Sequence, residues 1–153
     1  MSTQEHKEAA PRTVRCKIIT VSDTRNEETD KSGKLMIDML TEQGHEVKSY
    51  VIVKDEEGPI REEVLKGCED PGIDVVLTNG GTGIARRDVT IETVQKLFEK
   101  EITGFGELFR MLSYQEDIGS AAIMSRAAAG IHSGTAIFAT PGQPGLSSLP
   151  CRA

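Results

Sequence analysis

A cluster of glycines follows an apolar run in the middle of the chain. It consists of Thr78, Asn79, Gly80, Gly81, Thr82 and Gly83. Three glycines in four positions allow positive φ angles and a close approach of the backbone to a ligand. Successive N–H groups of such a loop can form a concave anion site, assisted by the N-terminus of a following helix. The loop is therefore a candidate phosphate cradle, and a plain strand-to-helix turn is the alternative.

The residues after the glycine loop favour the phosphate hypothesis. Arg86 and Arg87 follow closely, and Asp88 and Thr90 open a predicted helix. A plain turn does not require two cations, a carboxylate and a hydroxyl next to it. The sequence contains no Gly-x-x-x-x-Gly-Lys-Ser/Thr pattern, and its glycines lack the Gly-x-Gly-x-x-Gly spacing of a dinucleotide fold. A dehydrogenase is therefore disfavoured.

Two carboxylates are candidates for binding a metal ion. Asp55 and Asp88 each lie just past the predicted carboxyl end of a strand. Mg²⁺ is typically bound by one or two carboxylates plus phosphate oxygens, which suits this pair. In the alternative reading, Asp55 is an ordinary acid before a helix that begins near Pro59, and Asp88 satisfies the helix start near Thr90.

Nothing in the chain marks a nucleophile. Ser22 and Ser113 are possible hydrogen-bond donors to a ligand, but neither lies in a Gly-x-Ser-x-Gly elbow with a companion histidine. Asp23 is a further candidate, or a turn residue with a local side-chain bond. The lack of a nucleophile fits phosphoryl-type transfer, in which positioning and charge neutralisation carry most of the catalysis.

The elements that must position these residues alternate along the chain. Apolar patterns predict strands over 14–21, 45–53 and 73–78, and helices that begin near Ser32, Pro59 and Thr90, the first of them capped by Gly44. Short helices are predicted over 105–112 and 118–124, followed by two β-prone pieces on either side of 133–134. This order predicts an α/β fold of three layers, α/β/α, with a mostly parallel sheet. Because ligands of such sheets bind beyond the carboxyl ends of the strands, segments 22–25, 54–56 and 79–88 should converge.

Length and charge limit the remaining possibilities. The chain has 153 residues, which predicts one domain over 13–153 after a flexible segment 1–12. Its net charge is -6 with dispersed basic residues, so nucleic acid is not an expected partner. No run is apolar enough for a membrane, and the scattered cysteines favour a reducing compartment, so a cytoplasmic location is expected. Cys16 and Cys68 are predicted core residues, and the three histidines are predicted surface or loop residues.

Several segments occur in the order and with the spacing of one known family. They are 21–25, 29–33, 78–83, 86–90, 104–113, 125–127 and 141–142. Over residues 14–144 the chain resembles the molybdenum cofactor biosynthesis protein B and Mog family of molybdopterin-binding proteins. The resemblance implies a molybdopterin-binding-like fold and binding of molybdopterin, a pterin that carries a dithiolene and a terminal phosphate.

The resemblance also implies an activity. Active members are molybdopterin adenylyltransferases, which transfer AMP from ATP, with Mg²⁺, to the phosphate of molybdopterin. By carry-over, Asp55 and Asp88 are the catalytic and metal-binding carboxylates. The implied substrate-binding residues are Ser22, Asp23, Thr78, Gly80, Gly81, Thr82, Gly83 and Ser113. A homotrimer or homohexamer is expected, because members of the family assemble in these forms.

The end of the chain departs from the family pattern. After Gly142 the family continues into a substantial helix, whereas this chain has a short tail containing Pro144, Gly145 and Pro150. We expect a truncated or frame-altered end that uncovers apolar surface and weakens the fold or the oligomer, with Cys151 exposed. Three functions stay open at this point: the adenylyltransferase, a non-catalytic carrier of molybdopterin or its precursor, and, ranked last, a generic nucleotide-binding domain.

Overall fold

The computed structural model describes residues 13–80, 88–105 and 126–140. Within them, one sheet contains β1 (Arg15–Val21), β2 (Glu46–Val53), β3 (Val75–Asn79), β4 (Lys100–Glu101), β5 (Ala128–His132) and β6 (Thr135–Thr140). The strand order is β2-β1-β3-β6-β5-β4. Strands β1, β2, β3 and β6 are parallel, and β5 and β4 pair antiparallel at one edge. The predicted mostly parallel sheet is therefore confirmed.

Three helices of the described residues connect the strands: α1 (Lys31–Glu42), α2 (Glu57–Glu69) and α3 (Thr90–Gln95). Helix α1 begins after Asp30, whose carboxylate accepts a hydrogen bond from the N–H of Gly33 at 3.0 Å. It ends before Gly44, which has a φ of 86° and is the predicted cap. Helix α2 begins near Pro59 as predicted, and Pro59 lies in its first turn.

The side chains of the sheet alternate between two apolar cores, one on each face. Ile18 packs with Met36 and Leu40 of α1, whereas its neighbour Ile19 packs with Val64 of α2. Other residues of these cores include Ile60, Val76, Ile91, Val94 and Ile137 on the α2 and α3 face, and Cys16 and Leu77 on the α1 face. Helices therefore cover both faces, as the α/β/α prediction requires, and the prediction that Cys16 and Cys68 are core residues is confirmed.

Some boundaries differ from the sequence prediction. Strand β4 was not expected, because Lys100 and Glu101 are charged and exposed. Helix α3 is short and ends at Gln95, and Leu97 beyond it is buried. The two β-prone pieces are confirmed as the hairpin of β5 and β6, whose two-residue turn has positive φ at Ser133 and Gly134.

The remaining predicted segments fall elsewhere. Apart from Phe105, the helices predicted over 105–112 and 118–124 lie outside the described residues, as do segments 1–12 and 141–153. Among the helices that are described, none has the length and apolar character needed to cross a membrane.

Candidate functional site

The loops that follow β1 and β2 and the segment before α3 meet at the carboxyl edge of the sheet. The N–H of Ser22 donates to the carbonyl of Val53 at 2.9 Å. The N–H of Asp55 donates to Oδ1 of Asp23 at 3.1 Å, and the N–H of Val89 donates to Oδ1 of Asp55 at 3.1 Å. The predicted convergence is therefore confirmed for segments 22–25 and 54–56, which are 32 residues apart at this contact. The third contact is made by Val89, one residue after the predicted segment 79–88, of which residues 81–87 lie outside the described residues.

Asp55 is buried between these loops, with 6% of its surface exposed. Its carboxylate accepts from the residue that precedes α3, so it serves the start of that helix. As in the alternative reading, Asp55 also lies just before α2, whose capping residue Glu56 makes no capping side-chain bond. A buried carboxylate needs such donors, because desolvation of an unpaired charge is costly.

Asp88 is half-buried. It lies beside this contact, because the next residue, Val89, donates the hydrogen bond to Asp55. Its backbone carbonyl accepts from Nη2 of Arg126 at 3.2 Å, and the same guanidinium pairs with Glu92 at 2.8 Å. Asp88 lies directly before Val89, the capping residue of α3, so the alternative reading of a charge near this helix start stays a prediction. Asp55 and Asp88 are thus neighbours in space.

Two side chains of the loop after β1, Ser22 and Asp23, make different kinds of hydrogen bond. The Oγ of Ser22 accepts from the backbone N–H groups of Thr24 and Arg25, at 3.2 and 3.1 Å, and so forms the local turn. The carboxylate of Asp23 accepts from the N–H of Asp55, a residue of the next strand-end loop. Asp23 therefore joins two loops and holds the backbone of Asp55 in place.

The end of β3 carries the described part of the glycine loop. Thr78 is fully buried, and among the described residues its hydroxyl is one of two buried groups without a hydrogen-bond partner. Gly80 has a φ of 101°, and its N–H donates to the carbonyl of Thr140 at 2.9 Å. A Cβ at Gly80 would lie 2.2 Å from the carbonyl oxygen of Val21, so only glycine fits. The other predicted site residues, Gly81, Thr82, Gly83 and Ser113, lie outside the described residues.

A second buried carboxylate, Asp30, was not among the candidate site residues of the sequence analysis. Asp30 is fully buried at the start of α1. Its Oδ2 accepts from the hydroxyls of Thr20 and Tyr50, each at 2.5 Å, and its Oδ1 accepts from the N–H of Gly33. A Cβ on Gly33 would lie 2.1 Å from the carboxylate, so the glycine makes room for it. The sequence signals were the Ser-Gly pair after Lys31 and the place of Asp30 within segment 29–33 of the family pattern.

The hydrogen bonds decide the charge state of Asp30. Burial raises the pKa of its carboxyl, but the bonds from Thr20, Tyr50 and Gly33 outweigh burial, and the pKa lies below its ordinary value. Burial and the bond to Asp30 raise the pKa of Tyr50, so the phenol stays a donor. Arg25 adds positive charge, with its Nη1 3.5 Å from Oδ1 of Asp30. Asp30 is therefore an ionised acceptor in the folded protein.

We expect Asp30 to make the protein sensitive to acid. Its contribution to stability is complete above about pH 3.9, the pKa of an unfolded aspartate, and is lost as the pH falls through the lower folded pKa. Asp30→Asn should reduce the free energy of unfolding at pH 7 by about 2 kcal/mol, because an amide cannot accept from every donor around it. It should also flatten the pH dependence of stability below pH 4. Urea unfolding at pH 7, 4 and 3 measures both effects.

Asp38→Asn is the matched control for the Asp30 variant, because it removes an exposed carboxylate from the same helix. A pH dependence that is equal in Asp30→Asn and the unmodified protein would contradict an ionised Asp30.

The donor set at this edge fits one type of metal ion. Within 13–80, 88–105 and 126–140, no group of three or more His, Cys, Asp or Glu side chains could hold a metal. Asp55 and the neighbouring Asp88 offer two hard oxygen donors. Mg²⁺ suits such a pair, because it is usually bound by one or two carboxylates and completes its shell with water and substrate phosphates. These residues therefore fit Mg²⁺ delivered with a phosphorylated substrate.

Comparison with known proteins gives consistent results. The family described as "Probable molybdopterin binding domain" matches residues 17–151. The chain is 64% identical over 149 residues to molybdenum cofactor biosynthesis protein B of Bacillus subtilis (strain 168), covering 97% of this chain and 88% of that protein. A crystal structure of a molybdenum cofactor biosynthesis protein B is similar with a TM-score of 0.88 and 58% identity, over 92% of this chain and 87% of that chain. The tungsten cofactor synthesizing protein MoaB from Pyrococcus furiosus is similar with a TM-score of 0.83 and 40% identity, over 94% and 91% of the two chains.

Proposed function

This chain belongs to the molybdopterin-binding domain family of molybdenum cofactor biosynthesis proteins, and from that premise we propose that it transfers AMP from ATP to molybdopterin. The family places the chain in molybdenum cofactor biosynthesis and makes molybdopterin its ligand. The finer step, adenylyl transfer, is our proposal. The observation that carries it is the buried Asp55, which lies beside Asp88 where the strand-end loops meet.

The proposed reaction needs no nucleophile from the protein. An oxygen of the terminal phosphate of molybdopterin attacks the α-phosphorus of ATP and forms a new P–O bond. The bond from the α-phosphorus to the oxygen bridging the β-phosphorus breaks, and pyrophosphate leaves. The requirement is therefore to align two anionic groups and to offset their charge.

The residues of this edge can meet that requirement. Asp55 and Asp88 would hold Mg²⁺, and the ion, when bound, neutralises phosphate charge and orients the reacting groups. Asp23 fixes the backbone of Asp55, and the N–H of Val89 fixes its carboxylate. The N–H of Gly80 is bound to Thr140, so the backbone N–H groups proposed to bind the anion are those of the glycines that follow it. Ser22, Thr78 and the glycines that follow Gly80 stay proposed substrate-binding residues, as does Ser113.

A pyrophosphate assay tests the proposal. The purified protein is incubated with ATP, Mg²⁺ and molybdopterin, and both pyrophosphate and the pterin product are measured. We expect one pyrophosphate per adenylylated molybdopterin, and none when either substrate or Mg²⁺ is left out. Binding of molybdopterin without any product at saturating ATP would contradict the enzyme and favour the carrier. The proposed assembly, a homotrimer or homohexamer, is checked on the same sample by light scattering.

A further inference from the structure

The peptide group that joins Asp88 to Val89 is held at both of its polar ends. Its carbonyl oxygen accepts from Nη2 of Arg126 at 3.2 Å. Its N–H donates to Oδ1 of Asp55 at 3.1 Å. A cation therefore binds the acceptor and a carboxylate binds the donor of the same peptide group, so both bonds are charge-assisted.

Glu92 of α3 orients the guanidinium of Arg126. Nη1 donates to Oε2 of Glu92 at 3.1 Å, and Nη2 donates to Oε1 at 2.8 Å, which makes a forked pair. Burial raises the pKa of Glu92, but the bonds from Arg126 and from its own backbone N–H outweigh burial, and the pKa lies below its ordinary value. Ionised Glu92 thus accepts both bonds, and the second hydrogen of Nη2 is left for the carbonyl of Asp88.

The peptide between Asp88 and Val89 constrains both candidate carboxylates. Because a peptide group is planar, a fixed carbonyl also fixes the direction of the N–H of Val89, which is bound to Asp55. The other end of the same plane is the α-carbon of Asp88. Rotation of this peptide would take a donor away from the buried Asp55 and would move the side chain of Asp88 at the same time.

We propose that Arg126 is a positioning residue for adenylyl transfer, which holds this peptide and thereby sets Asp55 and Asp88 relative to each other. Arg126 does not touch the substrate in this proposal, and Glu92 acts by keeping the guanidinium in place. The inference rests on the proposed function, in which Asp55 and Asp88 bind Mg²⁺. It adds the segment before β5 to the strand-end loops that build the site.

The variant Glu92→Gln separates positioning from direct substrate binding. It leaves Arg126 in the chain but removes its ionic partner, because an amide offers one acceptor oxygen and no charge. A guanidinium that bound an anionic substrate would be released by this change, so ATP or molybdopterin would bind equally well or more tightly. A guanidinium that positions the peptide would be loosened, and turnover would fall.

Arg126→Lys separates the shape of the side chain from its charge. Lysine keeps the positive charge but lacks the planar fork, so it cannot bind Glu92 at two points and the carbonyl of Asp88 together. We expect kcat to be about tenfold lower in Glu92→Gln and in Arg126→Lys, with the KM for ATP and the Kd for molybdopterin within about twofold of the unmodified protein. Full turnover with tighter substrate binding in Glu92→Gln would overturn the proposal and make Arg126 a substrate-binding residue.

Two variants away from the site are matched controls. Arg15→Lys changes a similar pair at the amino end of β1, in which Nε and Nη2 of Arg15 donate to the carboxylate of Asp74 at 3.2 and 3.1 Å. Glu62→Gln breaks an exposed ion pair with Lys66 on α2, at 3.2 Å. Both variants should turn over like the unmodified protein.

A measurement without ligand keeps this inference separate from the proposed function. Hydrogen exchange of the Val89 amide reports its bond to Asp55, with amides of β1 as the reference for global unfolding. We expect the protection of Val89 to be about tenfold lower in Glu92→Gln and Arg126→Lys, and unchanged in both controls.

The two readouts fail in different ways. Unchanged protection of Val89 in Glu92→Gln and Arg126→Lys would refute the positioning role, whether or not the protein is an enzyme. Lower protection with full turnover would refute the part of this role in the reaction. If the unmodified protein released no pyrophosphate, the proposed function would fail, and the protection of Val89 alone would decide whether Arg126 positions the peptide.

Discussion

Replacement of Asp55 by asparagine is expected to lower kcat for adenylyl transfer by about 10²–10³-fold. The buried carboxylate loses its charge and one hard oxygen ligand, which are the properties proposed to hold Mg²⁺. The amide oxygen can still accept from the N–H of Val89, and the backbone N–H of residue 55 can still donate to Asp23. Folding and molybdopterin binding should therefore be largely retained. The assay compares pyrophosphate release with the Kd for molybdopterin.

Two further variants show whether the effect belongs to the pair. Asp88→Asn should lower kcat to a similar degree. The fold-loss in kcat of the double variant should be much smaller than the product of the two single losses, because both carboxylates are proposed to bind the same ion. Asp38→Asn removes an exposed carboxylate from α1 and should leave turnover unchanged. Full turnover in Asp55→Asn would refute the role given to this carboxylate. Equal losses in turnover and in molybdopterin binding would instead make Asp55 a substrate-binding residue.

Sequence patterns predicted the fold because its elements are locally coded. The alternation that places Ile18 and Ile19 on opposite faces is readable from apolar spacing, and Gly44 and Pro59 mark helix boundaries by their own backbone preferences. Strand β4 has no such local sequence pattern. Its two charged residues, Lys100 and Glu101, are extended because β5 offers a free edge for pairing.

The candidate site was predictable in position but not in its contacts. The topology of a parallel sheet brings Asp23 and Asp55 to one edge, and that part followed from the sequence alone. The sequence could not show that Asp55 serves the start of α3, because the contact joins residues 34 positions apart. Asp30 was missed for the same reason. Its partners Thr20 and Tyr50 lie on β1 and β2, and nothing in a polar segment distinguishes the acid that becomes buried.

Replacement of Gly80 by alanine is expected to reduce the free energy of unfolding by about 4 kcal/mol, which is exceptional for one methyl group. A φ of 101° costs an L-residue about 1–2 kcal/mol. The larger part comes from the collision, because the added Cβ would lie 2.2 Å from the carbonyl oxygen of Val21. That oxygen belongs to β1, which is paired on both sides, so relief requires β1 and β3 to move apart. Urea unfolding measures the loss.

Gly44→Ala separates the two contributions to this loss. Gly44 also has a positive φ, 86°, but a Cβ there would meet no atom within 4 Å. This control should therefore lose only about 1–2 kcal/mol, and the difference between the two variants gives the cost of the collision. Equal losses would mean that β1 and β3 can separate freely at this point. Because the same displacement would move the start of the glycine loop, we also expect Gly80→Ala, but not Gly44→Ala, to bind molybdopterin more weakly at temperatures where both are folded.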